Sequence, residues 1–140
     1  MRIAVFGLAI SSSWGNGHAT LWRGLISALS ASGCDVVFFE RERPYYASTR
    51  DLSDLPGAEL VIYPEWADVL PRARQVAAEA DAIITTSYCR DAVAAAELAG
   101  SAGRAIRVFY DLDTPVTLDA LERGESVDYI GSEGLAPYDL

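Results

Sequence analysis

Short apolar runs of strand length alternate along the chain with longer stretches in which apolar residues return every three or four positions. Arg2 to Phe6 carries Ile3, Ala4, Val5 and Phe6 without a break, the pattern of a strand buried on both faces of a parallel sheet. A loop over Gly7 to Gly17 follows. The spacing then predicts a helix from His18 to Ser32, with Leu21, Leu25, Ile26 and Leu29 on one face and Gly33 as its stop. Asp35 to Phe39 reads as the second strand, ending in Glu40. Arg41 to Pro56 is polar and aromatic and predicts an irregular segment with at most a short helix.

Glu59 to Tyr63 makes a third strand and Asp68 to Ala80 the next helix. Pro71 fits that helix if it lies in the first turn, where its missing N–H has no partner to lose. Asp81 to Thr85 is the fourth strand, and the alanine-rich stretch Asp91 to Ala99 is a helix ended by Gly100. Ile106 to Tyr110 is the fifth strand. Thr114 then reads as an N-cap with Pro115 at the first helical position, opening a short helix that Gly124 closes.

Alternation of this kind predicts an α/β fold: a Rossmann-like, doubly wound parallel sheet of about five strands with helices on both faces. Such sheets bind ligands at the carboxyl ends of their strands, so the informative residues are expected just after strands one, four and five. Leu135 to Leu140 resembles the approach to another strand, as in an ordinary chain end or in a domain cut from a longer protein.

The chain has 140 residues, 51% apolar and 22% charged, and no apolar run long enough to cross a membrane. Its first residues lack the apolar core of a signal peptide, because Ser11 to Asn16 interrupts them, and a cytoplasmic location is expected. Eleven basic against 20 acidic side chains give a net charge of −9, which repels phosphate backbones and disfavours nucleic acid as a partner. A local basic pocket for one phosphate stays compatible with that charge. Cys34 and Cys89 are far apart, without a CxxC pair or adjoining histidine, and read as free buried thiols rather than metal ligands.

Gly15-Asn16-Gly17-His18-Ala19-Thr20 lies between a strand and a helix, where glycines let backbone N–H groups approach a polar ligand. No lysine follows Gly17, so the run is not a P-loop. It matches the first two glycines of the dinucleotide fingerprint, with Thr20 in place of the third. Glu40 stands where a ribose-binding acid is expected, which keeps a nicotinamide- or flavin-binding oxidoreductase domain as an alternative. His18 is the single histidine and is suited to general-base work on a hydroxyl; equally, it could cap the helix or pack beside Trp14 and Trp22.

Asp111 and Asp113 flank Leu112 after strand five and point to the same side if that strand continues. They could hold hydroxyls or orient His18; the structural alternative is a cap, an ion pair or solvation. Ser87 and Tyr88 are hydrogen-bonding candidates for the same crevice. Tyr45, Tyr46 and Trp66 could stack on a ligand or cover the edge of the core. The charge run Glu40-Arg41-Glu42-Arg43 reads as a solvated loop. A non-catalytic α/β interaction module is a further alternative.

Ser11 to Leu25, with its serine-rich loop, its Trp14-Gly15-Asn16-Gly17 turn and its Trp22-Arg23-Gly24 element, resembles the opening of GT-B glycosyltransferases of the CgeB-like bacterial group. Thr85 to Cys89 and Phe109 to Leu118 resemble later segments of that group. The Gly15-Asn16-Gly17-His18 turn is also similar to the loop of other GT-B enzymes in which the histidine acts as base. The resemblance covers essentially the whole chain, as the first part of such an enzyme. It implies an N-terminal, acceptor-side domain whose partners are a nucleotide-sugar donor, a hydroxyl acceptor and a C-terminal donor-binding domain outside this chain, with a homodimer left open. It implies no cofactor and no bound metal. His18, Asp113 and Asp111 become the catalytic candidates, and Gly15, Asn16, Gly17, Ser87, Tyr88 and Thr114 the substrate-binding ones.

Overall fold

Ile3, Val5, Val36 and Phe38 pack on one face of a central sheet, while Ala4, Phe6, Val37 and Phe39 pack on the other. Strand alternation sends successive side chains to opposite faces, so strands apolar at every position need cover on both sides. A computed structural model describes all residues, 1–140. Its elements follow in the order β1 (Arg2–Gly7), α1 (Gly17–Ala31), β2 (Asp35–Arg41), α2 (Pro44–Ser48), β3 (Glu59–Tyr63), α3 (Trp66–Glu79), β4 (Ala82–Thr86), α4 (Ala92–Ser101), β5 (Ile106–Tyr110) and α5 (Thr114–Glu122).

All strand pairs are parallel, in the order β3-β2-β1-β4-β5. This is the expected Rossmann-like α/β sheet of five strands. One face packs Trp22 and Ile26 of α1 against the sheet. The other packs Val69, Ala73 and Val76 of α3 and Ala92, Ala95 and Ala99 of α4, with Phe6 stacked on Phe39 at 4.6 Å between ring centroids. No helix is long and apolar enough to cross a membrane.

The winding direction reverses between β1 and β4, so the loops that follow these two strands open a crevice at the carboxyl edge. The last residue of β1, Gly7, has no room for a side chain, since a Cβ there would lie 2.4 Å from the ring of Phe38.

Several boundaries differ from those read in the sequence. β2 runs on to Arg41, so Glu40 is a fully buried strand residue and Arg41 an ion-paired one rather than part of a solvated loop. α3 begins at Trp66, which puts Pro71 in its interior. The cost there is one absent hydrogen bond to the Ala67 carbonyl; both residues are exposed, so water can serve that oxygen. Gly100 does not end α4, which continues to Ser101. Asp113, not Thr114, is the N-cap residue of α5, and Thr114 and Pro115 are its first two helical residues. Asn16, not His18, caps α1. Cys89 is buried and Cys34 only half-buried. The tail reaches the open edge of β5, where the Asp139 N–H donates to the Arg107 carbonyl at 2.8 Å and the Phe109 N–H to the Leu140 carbonyl at 2.9 Å.

Candidate functional site

The loop after β1 is held from within. Glu40, on the same strand face as Val36 and Phe38, accepts hydrogen bonds from the Ile10 N–H at 2.7 Å, the Ser11 N–H at 2.9 Å and the Ser11 hydroxyl at 2.6 Å. A buried carboxylate without donors would be strongly destabilising; three donors offset its desolvation and fix the loop. Glu40 is therefore spent on the protein's own backbone and is not free to hold a ribose, which removes the acid on which the dinucleotide reading leaned. Arg23 of α1 clamps the same loop, donating to the Ile10 carbonyl at 2.9 and 2.7 Å and to Asp51 at 2.6 Å. The Arg23 hydrogen bond, followed by the Ser13 hydroxyl, holds the Asp51 carboxyl well below the usual range.

Asn16 closes this loop. Its amide donates to the Ala9 and Ser12 carbonyls, both at 3.1 Å, and its oxygen accepts the Ala19 N–H at 3.4 Å. These bonds turn Asn16 inward, in a scaffold role. Gly15 takes a left-handed φ of +59°, which lets the loop turn into α1, and a Cβ there would lie 3.0 Å from the Tyr45 hydroxyl. Gly17 opens α1 with free space around it.

The next residue, His18, lies in the first turn of α1 and faces the loop after β5. Its Nε2 lies 3.1 Å from Oδ2 of Asp113, and its side chain is 12% exposed against 45% for that of Asp113. A carboxylate oxygen only accepts, so Nε2 carries the proton in the neutral ring and Nδ1 carries the lone pair. Nδ1 is buried and has no hydrogen-bond partner in the protein. The ring meets Tyr88 edge-on at 5.6 Å rather than packing on Trp14 or Trp22.

Asp113 is positioned by its neighbours. β5 stops at Tyr110, so Asp111 and Asp113 do not point to one side of a continuing strand. Instead Asp111 folds back and its Oδ1 accepts the Asp113 N–H at 2.9 Å. The Leu112 N–H donates to the buried Ser87 hydroxyl at 3.1 Å, tying the loop after β5 to the loop after β4. Thr114 is exposed, with its hydroxyl 3.4 Å from the Asp111 carbonyl.

Tyr88 is the single non-glycine residue with a left-handed backbone, at φ 61°. Burial first, then Tyr129, Asp113 and Asp111, push its phenol above the usual value, so it stays a donor at neutral pH. Beyond it opens a cleft of about 760 Å³ whose walls include Leu8, Tyr46, Tyr88, Val116, Ala120 and Tyr129. Tyr88 thus borders both His18 and the cleft. Tyr45 and Tyr46 pack against each other, and Tyr45 is exposed. Trp66 packs instead against Phe6 and Tyr63 in the core.

Arg41 was not legible as structural. It bonds Asp91 at 2.8 Å and Glu65, and Tyr63 donates to the second Asp91 oxygen at 3.0 Å, fastening β2 and β3 to the start of α4. The phenol of Tyr63 is pushed strongly up by burial, with Cys89 and Asp91 adding to it.

No known family model, curated protein or solved structure matches this chain.

Proposed function

We propose that the chain is the acceptor-side domain of a GT-B glycosyltransferase, with His18 as the base that takes the proton of an acceptor hydroxyl. The single observation carrying the reading is the His18–Asp113 pair at the carboxyl edge of the sheet, with Nδ1 of the same ring left without a protein partner. Asp113 fixes the tautomer and stabilises the imidazolium once Nδ1 is protonated. The deprotonated oxygen attacks the anomeric carbon, the bond from that carbon to the leaving oxygen breaks, and the nucleoside diphosphate departs with its electron pair. Nδ1 is closed to water, so the acceptor reaches it through a local movement of the wall. The donor is bound by a second Rossmann-like domain outside these 140 residues. Supporting the reading further are the spent Glu40, which disfavours a dinucleotide, and the cleft that adjoins His18 through Tyr88.

The test is a thermal-shift screen on the protein carrying both domains. Nucleotide sugars are expected to raise the melting temperature. Stabilisation by NAD(P) with no response to any nucleotide sugar would overturn the proposal.

A further inference from the structure

All eleven basic side chains are arginines, and most are neutralised within the protein. Arg2, Arg23, Arg41, Arg50, Arg72, Arg107 and Arg123 each pair with at least one carboxylate. Among those left without an ion pair are Arg43, which precedes α2, and Arg90, in the loop after β4, and both line the 760 Å³ cleft that adjoins His18. Asp128 is the one carboxylate in that lining, and it pairs with neither arginine. In a chain of net charge −9, two arginines without an ion pair thus line the same concave site. Arg74 and Arg104, the other two arginines without an ion pair, each stand alone in that respect in separate depressions, whereas Arg43 and Arg90 share one.

We infer that Arg43 and Arg90 form an oxyanion subsite in this cleft, so that its ligand carries a phosphate or carboxylate group as well as a neutral, hydroxyl-bearing part. The guanidinium fork matches both oxyanions in plane and in donor spacing, and its charge-assisted hydrogen bonds are stronger than those between neutral groups. The rest of the wall suits the neutral part. Tyr46, Tyr88 and Tyr129 offer apolar rings with hydroxyl tips, and Tyr88 is the wall residue that touches His18. A cleft of this volume is in the usual range for small-molecule sites, so it has room for a sugar-sized body. The inference rests on the acceptor-side reading for one point alone: that the ligand so held is the acceptor. It then deepens that reading, because the acceptor becomes an acidic sugar or a phosphate ester rather than a neutral alcohol. The anion subsite itself is a property of the chain and is open to test without turnover.

The experiment titrates the chain with inorganic phosphate, D-glucuronate and neutral D-glucose, following backbone amide NMR shifts. Saturable shifts at Arg43, Tyr88 and Arg90 are expected with phosphate, with glucuronate, or with both, and the pattern tells phosphate from carboxylate recognition. In a folded double variant Arg43→Gln/Arg90→Gln, affinity is expected to fall about tenfold or more. If the double variant does not fold, Arg90→Gln alone, at an exposed position, is expected to weaken binding. Arg43→Lys, which keeps the charge and loses the fork, is expected to recover only part of the affinity. Shifts no larger with the anions than with glucose, or anion binding untouched by these variants, would overturn the inference. Neither result bears on nucleotide-sugar binding, so the two proposals fail separately.

Discussion

Nε2 of His18 and Oδ2 of Asp113 meet at 3.1 Å although 95 residues separate them in the chain. The sheet order explains the meeting. β1 and β5 both lie beside β4, so the helices that follow them start at the same edge, one on either side of the β4 loop. The β4 loop fills the space between, with Ser87 holding the β5 turn and Tyr88 packing on the imidazole. β1 is central and buried while β5 is an edge strand, so the hydrogen bond from the Leu112 N–H to the buried Ser87 hydroxyl is what ties the Asp113 side of the pair to the β4 loop.

Glu40 decides whether the β1 loop keeps its shape. Glu40→Ala leaves the buried Ile10 and Ser11 N–H groups without acceptors. It is expected to cost about 3 kcal/mol, at ~1–3 kcal/mol for each unsatisfied buried donor. Glu40→Gln retains one oxygen for the two N–H groups and is expected to cost clearly less. Urea denaturation of the two variants measures the difference. Equal stabilities would mean that the carboxylate is not the anchor of the loop.

At position 88 the usual ranking of alanine over glycine is expected to invert. Tyr88 has φ 61°, a conformation that costs an L-residue about 1–2 kcal/mol and glycine almost nothing. Both Tyr88→Gly and Tyr88→Ala lose the contacts with His18 and Tyr129, but only glycine relieves the backbone. The glycine variant is expected to be about 1 kcal/mol more stable than the alanine variant by thermal or urea unfolding. An alanine variant at least as stable as the glycine one would show that this backbone is not strained.

The two thiols are expected to behave differently. Burial pushes Cys89 up to about 12 from an ordinary 9.0, whereas Cys34 is half-buried. Raising the folded value favours the neutral thiol in the native state. The resulting stability is fully present below about pH 9 and is lost as pH rises towards 12. A thiol reagent at pH 8 is expected to titrate one cysteine in the native protein and both in denaturant. Cys89→Ala is expected to flatten the alkaline fall in stability. Rapid native labelling of Cys89 would contradict the buried assignment.

The strands were legible because each is a short apolar run with polar boundaries, and Ile106 to Tyr110 matches the fold residue for residue. The meeting of the loops after strands one, four and five was legible too, because a doubly wound sheet brings them to one edge. The role of Glu40 was not. An acid after an apolar run reads as a strand terminator, and its partners are backbone amides of a distant loop, which carry no side-chain signature. Strand alternation held the signal, since Glu40 falls on the same inward face as Val36 and Phe38. Pro71 was misplaced because the helix starts earlier, at Trp66, and exposure makes an interior proline tolerable there. The grouping of Arg43 with Arg90 depends on two segments distant in sequence lining one cleft and leaves no pattern along the chain.

If His18 is the proposed base steered by Asp113, turnover by the proposed two-domain transferase reports it most directly. His18→Ala is expected to lower kcat by about 10²- to 10⁴-fold with little change in KM for the donor. Asp113→Asn, which disturbs the tautomer, is expected to lower kcat by at least about tenfold. The partly exposed pair should contribute no more than about 1 kcal/mol to stability in either variant. Wild-type turnover in a folded His18→Ala protein would contradict the account.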